Sequence, residues 1–300
     1  MKKIINSIAF LLISFSTMAQ DDLLNMLQNE QPKKPVAVFA TFKSTRIITA
    51  QSNEHVAAKH LNFVILHRFG AVNEGAYTLY GLDKANMRLV FDYGLTDNIQ
   101  IGVARSRYGI YDGNLKLKLF KQKKGGMPFS IGYYGNVAIN AGPWENPNRA
   151  NYFSSRLTYF NQIIFAKKFG DRLSLQIAPC VIHQNLVKYT ADPNTTYAIG
   201  TGGSIKLNRS FRFNFEYYPR LTGQKVLSSS GTKLYDYLAL GFDIETGGHV
   251  FQVMFCNGEG MLEQQMVLNT QTRWIDGGIR LGFNISRTFS MEGEKKSKKW

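Results

Sequence analysis

The chain has 300 residues, 44% of them hydrophobic and 13% aromatic, with a formal net charge of +15 and two cysteines, Cys180 and Cys256. Two cysteines so far apart exclude a disulfide framework, and no run after the N-terminus approaches the roughly 20 apolar residues of a spanning helix. In an exported chain the basic balance points to an anionic surface, lipopolysaccharide or lipid headgroups, and away from nucleic acid.

Export is read from the first residues. Lys2 and Lys3 precede an apolar stretch from Ile8 to Phe15 and the small-residue site Thr17-Met18-Ala19, so residues 1–19 are expected to be a signal peptide. No cysteine follows that site, which argues against a lipid anchor, and any membrane span must then be built of strands. Residues 20–35 form a polar periplasmic segment in which Leu23, Leu24 and Leu27 fall at helical spacing before Pro32 and Pro35.

Val36 to Ile48 (VAVFATFKSTRII) reads as a strand, and Leu61 to Phe69 as another. From Met87 a rhythm sets in, with strands expected at 87–93, 99–107, 113–121, 128–140, 152–169, 172–187, 197–207, 211–219, 235–245, 249–257 and 273–289. Tight Gly/Asp/Asn/Ser connections (94–98, 170–171, 208–210, 246–248) alternate with long segments (141–151, 188–196, 220–234, 258–272). Short turns on one side and long loops on the other are the asymmetry of outer-membrane barrels. The fold class expected is therefore all-β, a transmembrane antiparallel up-and-down β-barrel spanning 36–289. Even strand parity gives twelve strands with Leu61 to Phe69 as the first, or fourteen if 36–48 and 262–270 both join. Otherwise 36–48 is left over, to lie in the periplasm or plug the lumen. Pro179, inside the long strand 172–187, predicts a bulge or a switch to an unpaired extension.

The two faces differ. Phe211, Phe213, Phe215 and Tyr217 alternate with Arg212, Asn214, Glu216 and Tyr218, and Leu238, Leu240 and Phe242 with Ala239, Gly241 and Asp243. An arginine at outward Leu240 is thus expected to cost far more than one at inward Ala239. Aromatic residues gather at both strand ends, Phe129, Phe169, Phe211 and Phe289 toward the turns and Tyr108, Trp144, Tyr152, Tyr189, Tyr197, Tyr217, Tyr218, Tyr235 and Trp274 toward the loops, as two bilayer interfaces require. The inward register holds Arg88, Asp92, Lys116, Lys118, Arg212, Glu216, Asp243, Glu245 and Arg280. With both signs present, these charges are expected to pair and obstruct the bore, with Lys43 and Arg46 of 36–48 available to meet Asp92, Asp243 or Glu245.

The last strand, Arg273 to Phe289, carries Asp276, Gly278, Leu281 and Phe283 at the polar, glycine and apolar positions of the signal read by barrel assembly machinery. A basic tail, 290–300, with Lys295, Lys296, Lys298 and Lys299, follows. With these segments in place, the chain resembles a family of outer-membrane β-barrels of unknown function common in Bacteroidota. The likeness rests on Thr41-Phe42-Lys43-Ser44-Thr45-Arg46-Ile47-Ile48, His67-Arg68-Phe69-Gly70, Gly81-Leu82-Asp83, Asp92-Tyr93-Gly94-Leu95-Thr96-Asp97, Arg105-Ser106 and Gly282-Phe283-Asn284-Ile285-Ser286-Arg287. It implies fold and outer-membrane location, and brings no substrate, cofactor or catalytic residue.

Chemistry-bearing motifs are sparse. His55 and His60 beside Glu54 are poorly spaced for metal, and no nucleophile elbow, phosphate loop or paired-cysteine motif occurs. His183, with Ser154 and Ser155 on its hairpin partner, is the one pair suggestive of an outer-wall lipid hydrolase. The expectation is a barrel with no catalytic chemistry, metal or cofactor, in a structural or surface-interaction role or as an obstructed pore. The alternatives are a narrow passive channel and a lipid-modifying enzyme.

Overall fold

The computed structural model describes residues 35–292 apart from 145, 149, 188, 190, 224 and 227–230. The expected signal peptide, the 20–35 segment short of its last residue and nearly all of the basic tail lie outside the described residues. Twelve strands close into one antiparallel barrel, each paired with its neighbours in chain order. They are β1 (His60–Ala71), β2 (Ala85–Gly94), β3 (Ile99–Ser106), β4 (Ile110–Phe120), β5 (Ser130–Asn140), β6 (Leu157–Phe169), β7 (Leu173–Gln184), β8 (Thr195–Lys206), β9 (Phe211–Tyr218), β10 (Tyr237–Thr246), β11 (His249–Cys256) and β12 (Arg280–Ser290). β12 pairs with β1 from Arg280↔Ala71 to Ser290↔His60, so no edge is left open.

Alternation is what makes these segments strands. Along β3, Ile99, Ile101, Val103 and Arg105 are exposed while Gln100, Gly102, Ala104 and Ser106 are buried, the period of a pleated strand between two unlike environments. In a closed barrel one environment is the bilayer and the other the interior. The short connections, the start of β1 and the end of β12 share one end. By the asymmetry of such barrels that end is periplasmic and the long loops are outside.

Several expectations are corrected. Within 36–48 only Val36–Ala37 is extended, pairing with Lys123–Lys124 at a periplasmic turn; the rest enters the barrel. Residues 262–270 contain a short helix, α1 (Glu263–Asn269), so the fourteen-strand alternative fails. The last strand starts seven residues late, because Trp274–Asp276 is a 3-10 turn closed by Gly277 at φ 70°. Pro179 pairs with Ile199 in unbroken register. The register shifts lie instead at Lys118/Phe120 and Arg280/Gly282. Tyr218 is buried inside and takes no part in the outer girdle.

The interior is packed. Tyr134, Phe160, Ile164, Ile182, Tyr218, Tyr237, Ala239 and Met254 form one apolar cluster with residues of both inserted segments. The contrast expected between Leu240 and Ala239 therefore does not hold. Ala239 is 0% exposed, and an arginine there would overpack a filled core. At outward Leu240 the charge meets lipid, at about 2–4 kcal/mol near the midplane. Leu240→Arg and Ala239→Arg are both expected to lower the yield of heat-modifiable protein in membranes, whereas Leu240→Phe should not. Normal assembly of Leu240→Arg would contradict the outward register.

Candidate functional site

The interior is filled by two insertions that meet. The first is Thr41–Asn53, entering from the periplasmic end, with every residue buried except half-buried Lys43 and Ser44. Arg46 bridges Gln51, Ile47 N donates to Ala50 O at 2.9 Å, and Ser52 N to Thr45 O at 3.0 Å, closing a small hairpin. At its tip the N–H groups of Ile48, Thr49 and Ala50 point to one carboxylate, that of Glu216 on β9, at 2.5, 3.0 and 3.0 Å. Successive backbone N–H groups form a concavity for an anion; here the wall supplies the anion.

The carbonyls are met as thoroughly. Ile47 O accepts from Gln252 Nε2 at 2.8 Å and Asn214 Nδ2 at 3.3 Å, Ile48 O from Asn284 Nδ2 at 2.6 Å, and Gln51 O from Gln176 Nε2 at 2.7 Å. Arg68 Nη2 donates to Thr49 Oγ1 at 2.8 Å, and that hydroxyl lies 2.9 Å from Tyr237 OH. A loop carried into a closed interior needs such partners, because each unpaired backbone group costs about as much as a lost hydrogen bond. Two inward glycines make room. A Cβ on Gly202 would fall 2.7 Å from Ile47 Cδ1, and one on Gly282 2.6 Å from Arg68 Cδ.

The second insertion comes from the outer loop between β11 and β12. Met261, Leu262, Glu263, Gln264, Met266 and Val267, in and before α1, are buried. Arg88 donates to Met261 O at 2.9 Å and pairs with Asp112 at 2.5 Å; Asn136 joins Asp112 at 2.8 Å and accepts from Gln264 Nε2 at 2.9 Å. Arg46 Nη1 reaches Glu263 Oε1 at 3.5 Å, linking the two insertions.

Of the inward charges read from the sequence, Lys116 is fully buried and donates to Thr45 O, Gln51 Oε1 and Glu54 O. Asp243 accepts from Asn214 at 2.5 Å and Gln252 at 2.7 Å, and Asp92 from Asn114 at 3.3 Å. Glu245 pairs with Lys43 at the periplasmic mouth. Arg46 meets Glu263 in place of the partners expected. Arg212 is half-buried opposite Asp243, Lys118 reaches Asp97 O at the turn end, and Arg280 lies 3.5 Å from Phe69 O. Arg68, Asp112 and Glu263 were missed. Arg68 and Asp112 obey the same parity as their strand-mates and were legible; Glu263 was not, because no period marks a loop helix as buried. Asp276 and Gly278 sit in the loop, with Asp276 bound by Arg273 at 2.6 and 2.8 Å. Leu281 and Phe283 face outward on β12, where Phe283 stacks on His67 at 4.8 Å.

The outer-wall pair is not assembled. His183 Nδ1 lies 2.9 Å from Thr195 Oγ1, while Ser154 and Ser155 occupy a 3-10 turn, Phe153–Arg156. Among the described residues no group of three or more His, Cys, Asp or Glu is placed to hold a metal ion. Cys180 and Cys256 are free and buried.

At the neck of the first insertion, His55 keeps Nδ1 3.1 Å from Asn53 O. Burial, with the charges of Lys116 and Lys118, pushes its pKa down to about 3. The seated plug thus holds His55 neutral, whereas a withdrawn one lets it protonate near 6.5. Seating should be fully favoured above about pH 6.5 and weaken as pH falls toward 3. Proteolysis of the plug should rise between pH 7 and 4.5 in the wild type and less in His55→Asn. An identical pH response in both would remove His55 from the account.

A twelve-stranded barrel with a lipid-facing wall and no helix long and apolar enough to cross a bilayer among the described residues is an integral outer-membrane protein. The chain belongs to the family described as membrane bound beta barrel domain (DUF5777), whose model matches residues 42–289. Among solved structures it is similar to an outer membrane channel from Pseudomonas putida F1, with 11% identity and a TM-score of 0.50 over 79% of this chain and 98% of that one. It is also similar to an active-site mutant of outer membrane phospholipase A from Escherichia coli (12% identity, TM-score 0.43, 90% and 97% covered). LpxR from Salmonella typhimurium follows at 14% identity, a TM-score of 0.34 and coverage of 77% and 99%. At 11% identity the likeness to the channel is one of fold alone. No curated protein matches the chain significantly.

Proposed function

We propose that this protein is an occluded outer-membrane barrel, closed at rest and without hydrolytic chemistry, serving a structural or surface role or as a conduit that opens when its plug withdraws. The observation that carries the closed state is the Glu216 carboxylate on three consecutive N–H groups of the hairpin tip. The conduit reading is supported by what stands behind the plug. Arg68, Lys116, Asn214, Gln252 and Asn284 line that wall, groups that water can solvate once the hairpin leaves. The plug lies beside the chain's own periplasmic mouth, so a pull on the preceding segment has a direct mechanical path. The purified protein is expected to give little or no steady conductance in a planar bilayer, and deletion of 41–53 to produce stable open events. A large steady conductance from the intact protein would refute the closed state; silence after deletion of both 41–53 and the second insertion, 261–267, would leave the structural role and eliminate the conduit.

A further inference from the structure

The lipid-facing wall has a groove of about 630 Å³ that runs across the strands from β1 to β6, within the roughly 300–1,000 Å³ range of small-ligand sites. Its floor follows the strand register Val103↔Gly113, Gly113↔Val137 and Val137↔Tyr159. Outward Gly113 leaves the wall bare, since a Cβ there would meet nothing nearer than Gly102 O at 4.0 Å. On the next row toward the periplasm, Tyr133 lies over Gly135 and its hydroxyl donates to Asn161 Oδ1 at 2.6 Å. That places a carboxamide, with N–H donors of its own, in an otherwise apolar trough. One outward position closer to the loop end than Val103 and Gly113 stands the pair Arg105↔Tyr111. Arg105 is exposed, its Nε 3.3 Å from Tyr111 OH and its guanidinium 5.7 Å from the ring.

The groove is therefore apolar along its length and amide-bearing within, and the Arg105 cation stands one outward position beyond its lining on the loop side. We propose that it binds an anionic lipid of the outer leaflet, the lipid A part of lipopolysaccharide. An acyl chain lies along Val103, Gly113 and Val137, a phosphate meets Arg105, and Asn161 donates to a hydroxyl or carbonyl of the chain. Arginine and phosphate are matched in geometry as well as charge. The position of Arg105 at the loop end selects an outer-leaflet headgroup. A second copy seated here by two-fold symmetry would bring equivalent Arg105 residues toward each other, so charge disfavours a dimer on this face.

Native mass spectrometry of the purified protein, with lipopolysaccharide or phosphatidylglycerol added separately, tests the assignment. One lipopolysaccharide per barrel is expected, resistant to exchange by phosphatidylglycerol. Gly113→Leu, which fills the trough, and Arg105→Gln, which removes the charge, should each weaken retention about tenfold, equivalent to about 1.4 kcal/mol. Heat-modifiable migration verifies that each variant is assembled, and if Gly113→Leu fails that check Arg105→Gln decides alone. No retained lipopolysaccharide, equal retention of phosphatidylglycerol, a dimer in its place, or undiminished binding by the assembled variants would overturn the assignment.

Discussion

Glu216→Ala should unseat the plug without dissolving the barrel. The substitution leaves the N–H groups of Ile48, Thr49 and Ala50 with no acceptor in a site where Glu216 is 0% exposed. A buried donor stranded in this way costs about 1–3 kcal/mol, more where the lost partner was charged. Water entering the vacated volume would recover part, so a net loss of about 3–5 kcal/mol in plug seating is expected. Arg46, 1% exposed in the intact protein, should then become a tryptic site, and open events should appear in planar bilayers. Glu216→Gln keeps one oxygen as acceptor but brings an N–H₂ toward donors, so it should fall between wild type and alanine. Glu216 lies on β9, whose backbone ladders to β8 and β10 do not depend on the Glu216 side chain, so the barrel should still migrate as folded. Unchanged protection of Arg46 in Glu216→Ala would show that the remaining hydrogen bonds, from Gln252, Asn284, Gln176 and Arg68, and the apolar contacts of Ile47 and Ile48 hold the hairpin without Glu216.

Arg88→Met should be the most destabilising single change in the outer half of the lumen. Arg88 and Asp112 are each at 0% side-chain exposure, and Arg88 also holds Met261 O of the inserted loop. Removing one member strands the other charge, at about 3–5 kcal/mol, whereas replacing both by apolar groups is often near neutral. Arg88→Met should therefore lower the urea midpoint in vesicles and expose the 257–279 loop to protease. Arg88→Met with Asp112→Leu should recover much of the midpoint. Loop protection should recover less, because the bond to Met261 O is still missing. A double variant as unstable as the single one would mean that the pair matters for its hydrogen bonds to Asn136 and Met261 more than for its charges.

The faces of the wall strands were readable from the sequence, their loop-side ends less so: the strand expected from 152 starts at Leu157, after a 3-10 turn. The expected strands 99–107, 211–219 and 249–257 end within a residue of Ile99–Ser106, Phe211–Tyr218 and His249–Cys256. Alternation is written locally, and lipid on one side enforces it at every outward position. Where that enforcement stops, reading failed. Arg273 to Ile279 carries a strand-like pattern but lies beyond the wall, and a 3-10 turn with Gly277 takes it. The stretch VAVFATFKSTRII is rich in β-branched and aromatic residues and reads as a strand for that reason. Yet its backbone partners are mostly side chains, Glu216, Gln252 and Asn284, more than 160 residues away.

By itself, then, the sequence determined the strands of the wall, their two faces and the alternation of short turns with long loops. Each of these depends on composition and spacing over a dozen residues or fewer, against a solvent that is the same everywhere along the wall. Only the tertiary structure decided that two segments of the chain fill the interior, and which charges meet there. Lys43 and Glu245, Arg46 and Glu263, and Arg88 and Asp112 become neighbours through closure and insertion. In a packed interior a buried polar group takes whichever partner the geometry brings within about 3 Å, and that geometry is a property of the whole ring of strands.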